Sequence, residues 1–271
     1  MMLRLAIVVG LLGFPGVGAA AQEDAPSLDL RVDAEGWGDA DPENIRQVLR
    51  SVGEALLGRI PALKLPPIEV SRSHQGPITL FRRGPAGEFR VKLDVEGRDW
   101  ARFAFQFGHE LCHVACGGGE GPNPDMWFEE SLCELASLMV LGRMAEQWKV
   151  RPPYPNWKDY AGSLQKYRDD RLALEKLPEG VSLADWFRER EASLRRDPHQ
   201  RLLNLVVASA LLPLFEASPE HWAAIPALNT VRGDGTRSFS RYLGDWSRSA
   251  PERHRSFIAA LAARFGTAAE Q

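Results

Sequence analysis

His109-Glu110-Leu111-Cys112-His113 is the stretch on which the reading of this chain turns. On a helix, residues four apart are offset by about 40° around the axis, so both imidazoles lie on one face, one turn apart. Two neutral imidazoles so placed can share a divalent ion. Glu110 projects from the neighbouring direction, toward a metal-bound water rather than toward the metal. Phe103, Phe105, Phe107, Leu111 and Val114 flank the pattern and make the helix largely buried. Buried imidazoles with nothing to satisfy them are costly, and a bound ion removes that cost. With six His in 271 residues, chance produces such a pattern in roughly one in a hundred chains of this composition.

A catalytic zinc-type site takes a third protein ligand and keeps a fourth position for water. The next acidic stretch, Trp127-Phe128-Glu129-Glu130-Ser131-Leu132-Cys133-Glu134, offers Glu129 and Glu130. Glu130 has Glu134 one turn later on the same face, so one acid can bind metal while the other orients a ligating His. Glu129 has only Cys133 at that offset. The expected centre is therefore one Zn2+ ion held by His109, His113 and Glu130, with Glu134 behind them.

The block from His109 to Glu134 resembles the gluzincin metallopeptidases, the group that includes thermolysin and the aminopeptidase N family. Trp127-Phe128-Glu129-Glu130 is similar to the Trp-Leu-Asn-Glu of those aminopeptidases, which again places the ligand at Glu130. The resemblance implies a zincin-like fold and hydrolysis of a protein or peptide substrate by a zinc-activated water, with Glu110 as general base. It also implies a downstream oxyanion donor, for which His199 comes first and Tyr160, Tyr167 and Tyr242 follow. The alternating segment 89–96 falls where such enzymes keep the edge strand that pairs with substrate backbone. The Gly-x-Met-Glu-Asn segment that holds a substrate amino terminus is absent, since Gly84 to Phe89 does not reproduce it, so exopeptidase action has no support. Nothing after His113 reads Gly-x-x-His either. Two rivals stand beside a peptidase: a binding or scaffold protein with a retained metal site, and a zinc hydrolase of a non-peptide amide. Glu110 favours an enzyme, because a purely structural centre needs no base beside its metal.

Outward from this block the chain reads as an α+β protein. A small mixed or antiparallel sheet packs on the metal-site helices, and a mostly helical half follows. Asp41-Pro42-Glu43 starts a helix, with Asp at the cap and Pro in the first turn. Ile45, Val48, Leu49, Val52 and Leu56 continue it at helical spacing. Ile68-Glu69-Val70 and Ile78-Thr79-Leu80-Phe81 are short strand candidates. Phe89, Val91, Leu93 and Val95 alternate with Arg90, Lys92, Asp94 and Glu96, the pattern of a half-buried strand at or near the edge of an antiparallel sheet. Asp99 caps a helix from Trp100, stopped by Gly117-Gly118-Gly119, and a further helix runs from about Asp125 to Lys149. The expected division is a metal-binding part over 41–150 and a helical part over 151–271, after a weakly ordered lead-in at 22–40.

Residues 1–21 read as a signal peptide. Arg4 precedes the apolar run Leu5 to Leu12, and Gly18-Ala19-Ala20-Ala21 offers a cleavage site. The expected location is therefore periplasmic or secreted, with no stable membrane span after processing. Leu202 to Phe215 is interrupted by Asn204, Ser209 and Pro213 and suits a buried helix. The 33 Lys+Arg against 36 Asp+Glu leave a net charge of −3. No basic surplus exists to hold a phosphate backbone, so nucleic acid is not an expected partner. Oligomeric state is left open. Cys112, Cys116 and Cys133 allow one disulfide in an exported chain, expected between Cys133 and either of the other two.

Overall fold

A computed structural model of the chain describes residues 28–118, 122–231, 233 and 235–269. The expected signal peptide lies outside the described residues, as does Gly119 of the expected glycine stop. The fold is α+β, with one small mixed sheet and a predominance of helix.

Helix α1 (Pro42–Leu57) starts where the sequence says it should: the Asp41 carboxylate accepts the Glu43 N–H at 2.7 Å. Its apolar residues at helical spacing are all buried against the sheet and the following helix. Helix α2 (Trp100–Ala115) begins in the same way, the Asp99 side chain accepting the Arg102 N–H at 3.2 Å. Helix α3 (Met126–Val150) crosses α2 at Gly108, where an added Cβ would stand 3.3 Å from the Ser137 Cα. The Ser137 hydroxyl donates to the Phe105 carbonyl at 2.8 Å, fixing the register of the two helices at that crossing. The helices that carry the candidate ligands are thus held backbone to backbone.

Among the described residues four strands occur, β1 (Leu30–Val32), β2 (Ile68–Arg72), β3 (Ile78–Leu80) and β4 (Phe89–Leu93), in the order β1-β2-β4-β3. The β1–β2 and β2–β4 pairs are parallel, and only β3 runs antiparallel to its neighbour. The sheet is mixed, within the expected mixed or antiparallel arrangement. One expectation is corrected: β4 lies next to the edge rather than at it, so the edge strand beside the helices of the candidate site is β3 and not 89–96. Alternation along 89–96 reports one wet face, and an inner strand of a one-sided sheet shows it as readily as an edge strand. A second correction concerns 22–40: from Leu28 onward that stretch is built into the fold, supplying β1 and the buried Trp37, whose indole N–H donates to the Asp33 carbonyl at 2.8 Å. Three strand residues are too few to show a period.

The remaining helices are α4 (Ala161–Leu172), α5 (Leu183–Arg196), α6 (Arg201–Ala217), α7 (Phe239–Ser249) and α8 (Arg255–Arg264). Helices α5 and α7 and the residue that caps α8 close over the start of α3. Trp127 packs against Phe187 and Phe239 with ring centroids 5.1 and 4.9 Å apart, and Phe128 against Phe239 and Phe265 at 5.2 and 5.9 Å. Among the described residues no single helix is long and apolar enough to cross a membrane. The segment 202–215 lies in α6, with Leu205, Val206, Val207, Leu211, Leu212 and Phe215 buried.

At the head of α3, Asp125 is fully buried. Its Oδ1 accepts from Arg195 Nη2 at 2.7 Å, and Arg237 Nε lies 3.9 Å from Oδ2. Burial pushes this carboxyl up to about 6, against the pull of Arg195 and Arg237, from an ordinary value of 3.8. The folded state therefore binds the proton more tightly than the unfolded chain. The resulting stability is complete below the unfolded value and disappears as pH rises through about 6. Two pH units of difference are worth about 3 kcal/mol. Denaturation midpoints of the wild type should rise as pH falls from 7 toward 4, and Asp125→Asn should remove most of that rise. Parallel pH profiles in the two proteins would refute it.

Candidate metal centre

The α2–α3 crossing brings the expected ligands to one point. His109 Nε2 lies 3.1 Å from Glu130 Oε2, His113 Nε2 lies 3.5 Å from Glu130 Oε1, and the two Nε2 atoms are 3.2 Å apart. A tetrahedral ion with bonds of about 2.0–2.1 Å holds its ligand atoms roughly 3.3 Å from one another, so this donor set fits one. The helical offset of four residues aims both rings at the same spot, and Glu130 meets them from the facing helix.

The charges around the centre favour a cation. Burial alone would pull both imidazole pKa values down. The Glu130 hydrogen bond nevertheless leaves His109 raised, and the bonds to Glu129 and Glu130 leave His113 well above its ordinary value. Burial acts on Glu130 in the opposite sense, yet the two rings hold its carboxyl far below the usual range. Positive charge is what this pocket is arranged to receive. The Cys133 sulfur also lies within 4.8 Å of a ring nitrogen of each imidazole. Glu130 lies 3.1 and 3.5 Å from the two rings and lines the cleft, whereas Cys133 is wholly buried, so Glu130 is the better third donor.

Around these groups a cleft of about 520 Å³ opens. Ile78 and Thr79 of β3, Phe81, Phe105, Met126 and Tyr167 form its walls, and Glu110 lines it beside the two imidazoles. The Thr79 hydroxyl donates to Glu110 Oε2 at 2.8 Å. His199 stands on the rim with its side chain two-thirds exposed, its Nδ1 3.1 Å from Glu130 Oε1. Of the other candidate donors, Tyr167 lines the cleft. The Tyr160 hydroxyl instead accepts the Ala101 N–H, and Tyr242 is buried behind the site.

Neither a family model nor a curated protein matches this chain. The arrangement of its own residues therefore carries the functional reading.

Sequence spacing named Glu134 as the acid behind the ligands and missed the closer contacts that hold them in place. Glu134 approaches His109 Nδ1 at 3.9 Å, too far for a hydrogen bond, and its Oε1 accepts from Arg171 Nη2 of α4 at 2.7 Å. The tighter support belongs to Glu129, whose Oε1 is 2.7 Å from His113 Nδ1. Its other oxygen accepts from Asn229 Nδ2 at 2.8 Å, and Asn229 Oδ1 accepts from the Tyr242 hydroxyl at 2.9 Å. A carboxylate on Nδ1 fixes the ring and makes Nε2 the lone-pair nitrogen that faces the centre. Glu129→Gln should weaken metal binding ~10–100-fold without unfolding the protein. Competition with a chelator of known affinity reads this directly. An unchanged metal affinity would show that the Glu129 contact is packing alone.

Proposed function

We propose that this chain is an exported zinc metallopeptidase of zincin-like fold that cuts within peptide chains. The observation that carries the reading is the convergence of His109, His113 and Glu130 within 3.1–3.5 Å of one another, with Glu110 beside them in an open cleft. A structural centre would close its coordination with a fourth side chain and would not face a cleft. The resemblance of His109–Glu134 to gluzincins points the same way.

A zinc ion bound there supplies Lewis-acid chemistry, making water acidic near neutrality and polarising a carbonyl oxygen. The chain's own groups do the rest. Thr79 occupies Glu110 Oε2 and so orients the carboxylate, whose other oxygen takes a proton from water and returns it to the leaving amine nitrogen. Glu129 and Asn229 keep His113 in one tautomer and orientation. His199, on the rim above Glu130, is positioned to donate to the oxygen that gains negative charge. β3 is an outer strand of the sheet, and Ile78 and Thr79 line the cleft, so an extended peptide can add to that edge.

Metal analysis of the purified protein, followed by a cleavage profile on a library of end-blocked peptides, tests the reading. The expected result is zinc in the preparation and internal cleavage that a chelator removes and added zinc restores. Zinc-loaded protein that cleaves no peptide would instead favour a binding protein with a retained metal site.

A further inference from the structure

All three cysteines of the chain meet at one place, although they come from two helices. Cys112 and Cys116 lie one turn apart on α2 and its C-terminal cap, and Cys133 faces them from α3. Their sulfurs all lie within 4.8 Å of one another, and each residue is wholly buried. All three are free thiols. The Cys112 and Cys116 sulfurs are 4.0 Å apart. A cation bound equally by three thiolates at about 2.3 Å spaces their sulfurs by roughly 4.0 Å. A disulfide needs about 2.05 Å.

We propose that Cys112, Cys116 and Cys133 form a second metal site, a three-thiolate pocket for a soft thiophilic cation of the cuprous or cadmium kind. Thiolates select such ions over the harder ones that carboxylates prefer. The chemistry is simple coordination: each S–H releases its proton to buffer as a sulfur–metal bond forms, and no oxidant takes part. Cys133 belongs to both groups, since its sulfur also lies within 4.8 Å of both imidazoles. The thiol pocket therefore abuts the imidazole pair. Packing alone explains one buried Cys, which behaves as a small hydrophobe. It gives no reason for every cysteine of the chain to gather at a single point.

The site is independent of the proposed peptidase activity, and its test does not read cleavage. Full-length zinc-loaded protein, purified without reductant, is denatured for a thiol count and, in its native state, titrated with Cd2+. The expected result is three thiols and an ultraviolet sulfur-to-metal charge-transfer band that saturates at one equivalent. Cys112→Ala and Cys116→Ala should each lose the band while zinc content stays at the wild-type level. A count of one thiol, meaning a disulfide, would overturn the proposal. So would three thiols with no band, or a band that persists in both variants, which would place Cys133 with the imidazoles instead. Should either variant fail to fold by circular dichroism, the wild-type count and stoichiometry still decide.

Discussion

Glu110→Gln should retain its metal and lose ~10²–10⁴-fold in the rate of peptide hydrolysis, the usual worth of a positioned acid–base group. The substitution keeps the shape of the side chain and leaves an oxygen for the Thr79 hydroxyl, which donates to Glu110 Oε2 at 2.8 Å. What it removes is the ability to accept a proton from water at neutral pH and hand it to the leaving nitrogen. Glu110 is buried to within 4% of full enclosure, so bulk water cannot easily replace it. Turnover on a peptide found in the cleavage profile gives the rate, and elemental analysis gives the metal content. A variant that keeps its zinc and cleaves as fast as wild type would dismiss Glu110 as the base.

Glu130→Ala should lose the metal itself. Glu130 supplies the only carboxylate within 3.5 Å of both Nε2 atoms among the described residues. Without it, the two imidazoles face a gap where the third donor stood. A ligand that binds only the folded state stabilises it by about 2.7 kcal/mol when present at ~100 times its dissociation constant. Zinc at that level should raise the wild-type denaturation midpoint accordingly and leave Glu130→Ala unmoved. Equal zinc responses in the two proteins would assign the third ligand elsewhere, with Cys133 the next candidate by distance.

What the sequence revealed, and what it hid, follows from how local each signal is. Asp41 and Asp99 announced their helices because a cap is made within three residues of the chain. His109 and His113 were legible because four residues make about one helical turn, and Glu130 because Glu134 follows at the same offset. The supporting shell had no such trace. Thr79 and Glu110 are 31 positions apart, Arg171 and Glu134 are 37, and Asn229 and Glu129 are 100. Only the folded chain brings them together. Spacing alone favours Glu130 over Glu129, because only Glu130 has an acid one turn later. Both acids serve the centre, one facing the two Nε2 atoms and its neighbour reaching the far side of the His113 ring. The strand order was hidden for a related reason: alternation says which face of a strand is wet and nothing about its neighbours.

The Asn229–Glu129 contact has a consequence for the protein's biogenesis. A polypeptide is made from its amino end, so both imidazoles and their carboxylate emerge long before Asn229, which follows Glu129 by 100 positions. An ion captured at that stage meets a ring whose orienting acid has no anchor. The centre gains its final alignment only when the closing segment has docked. Under the proposed function, such an order of assembly ties the start of hydrolysis to the completion of the fold.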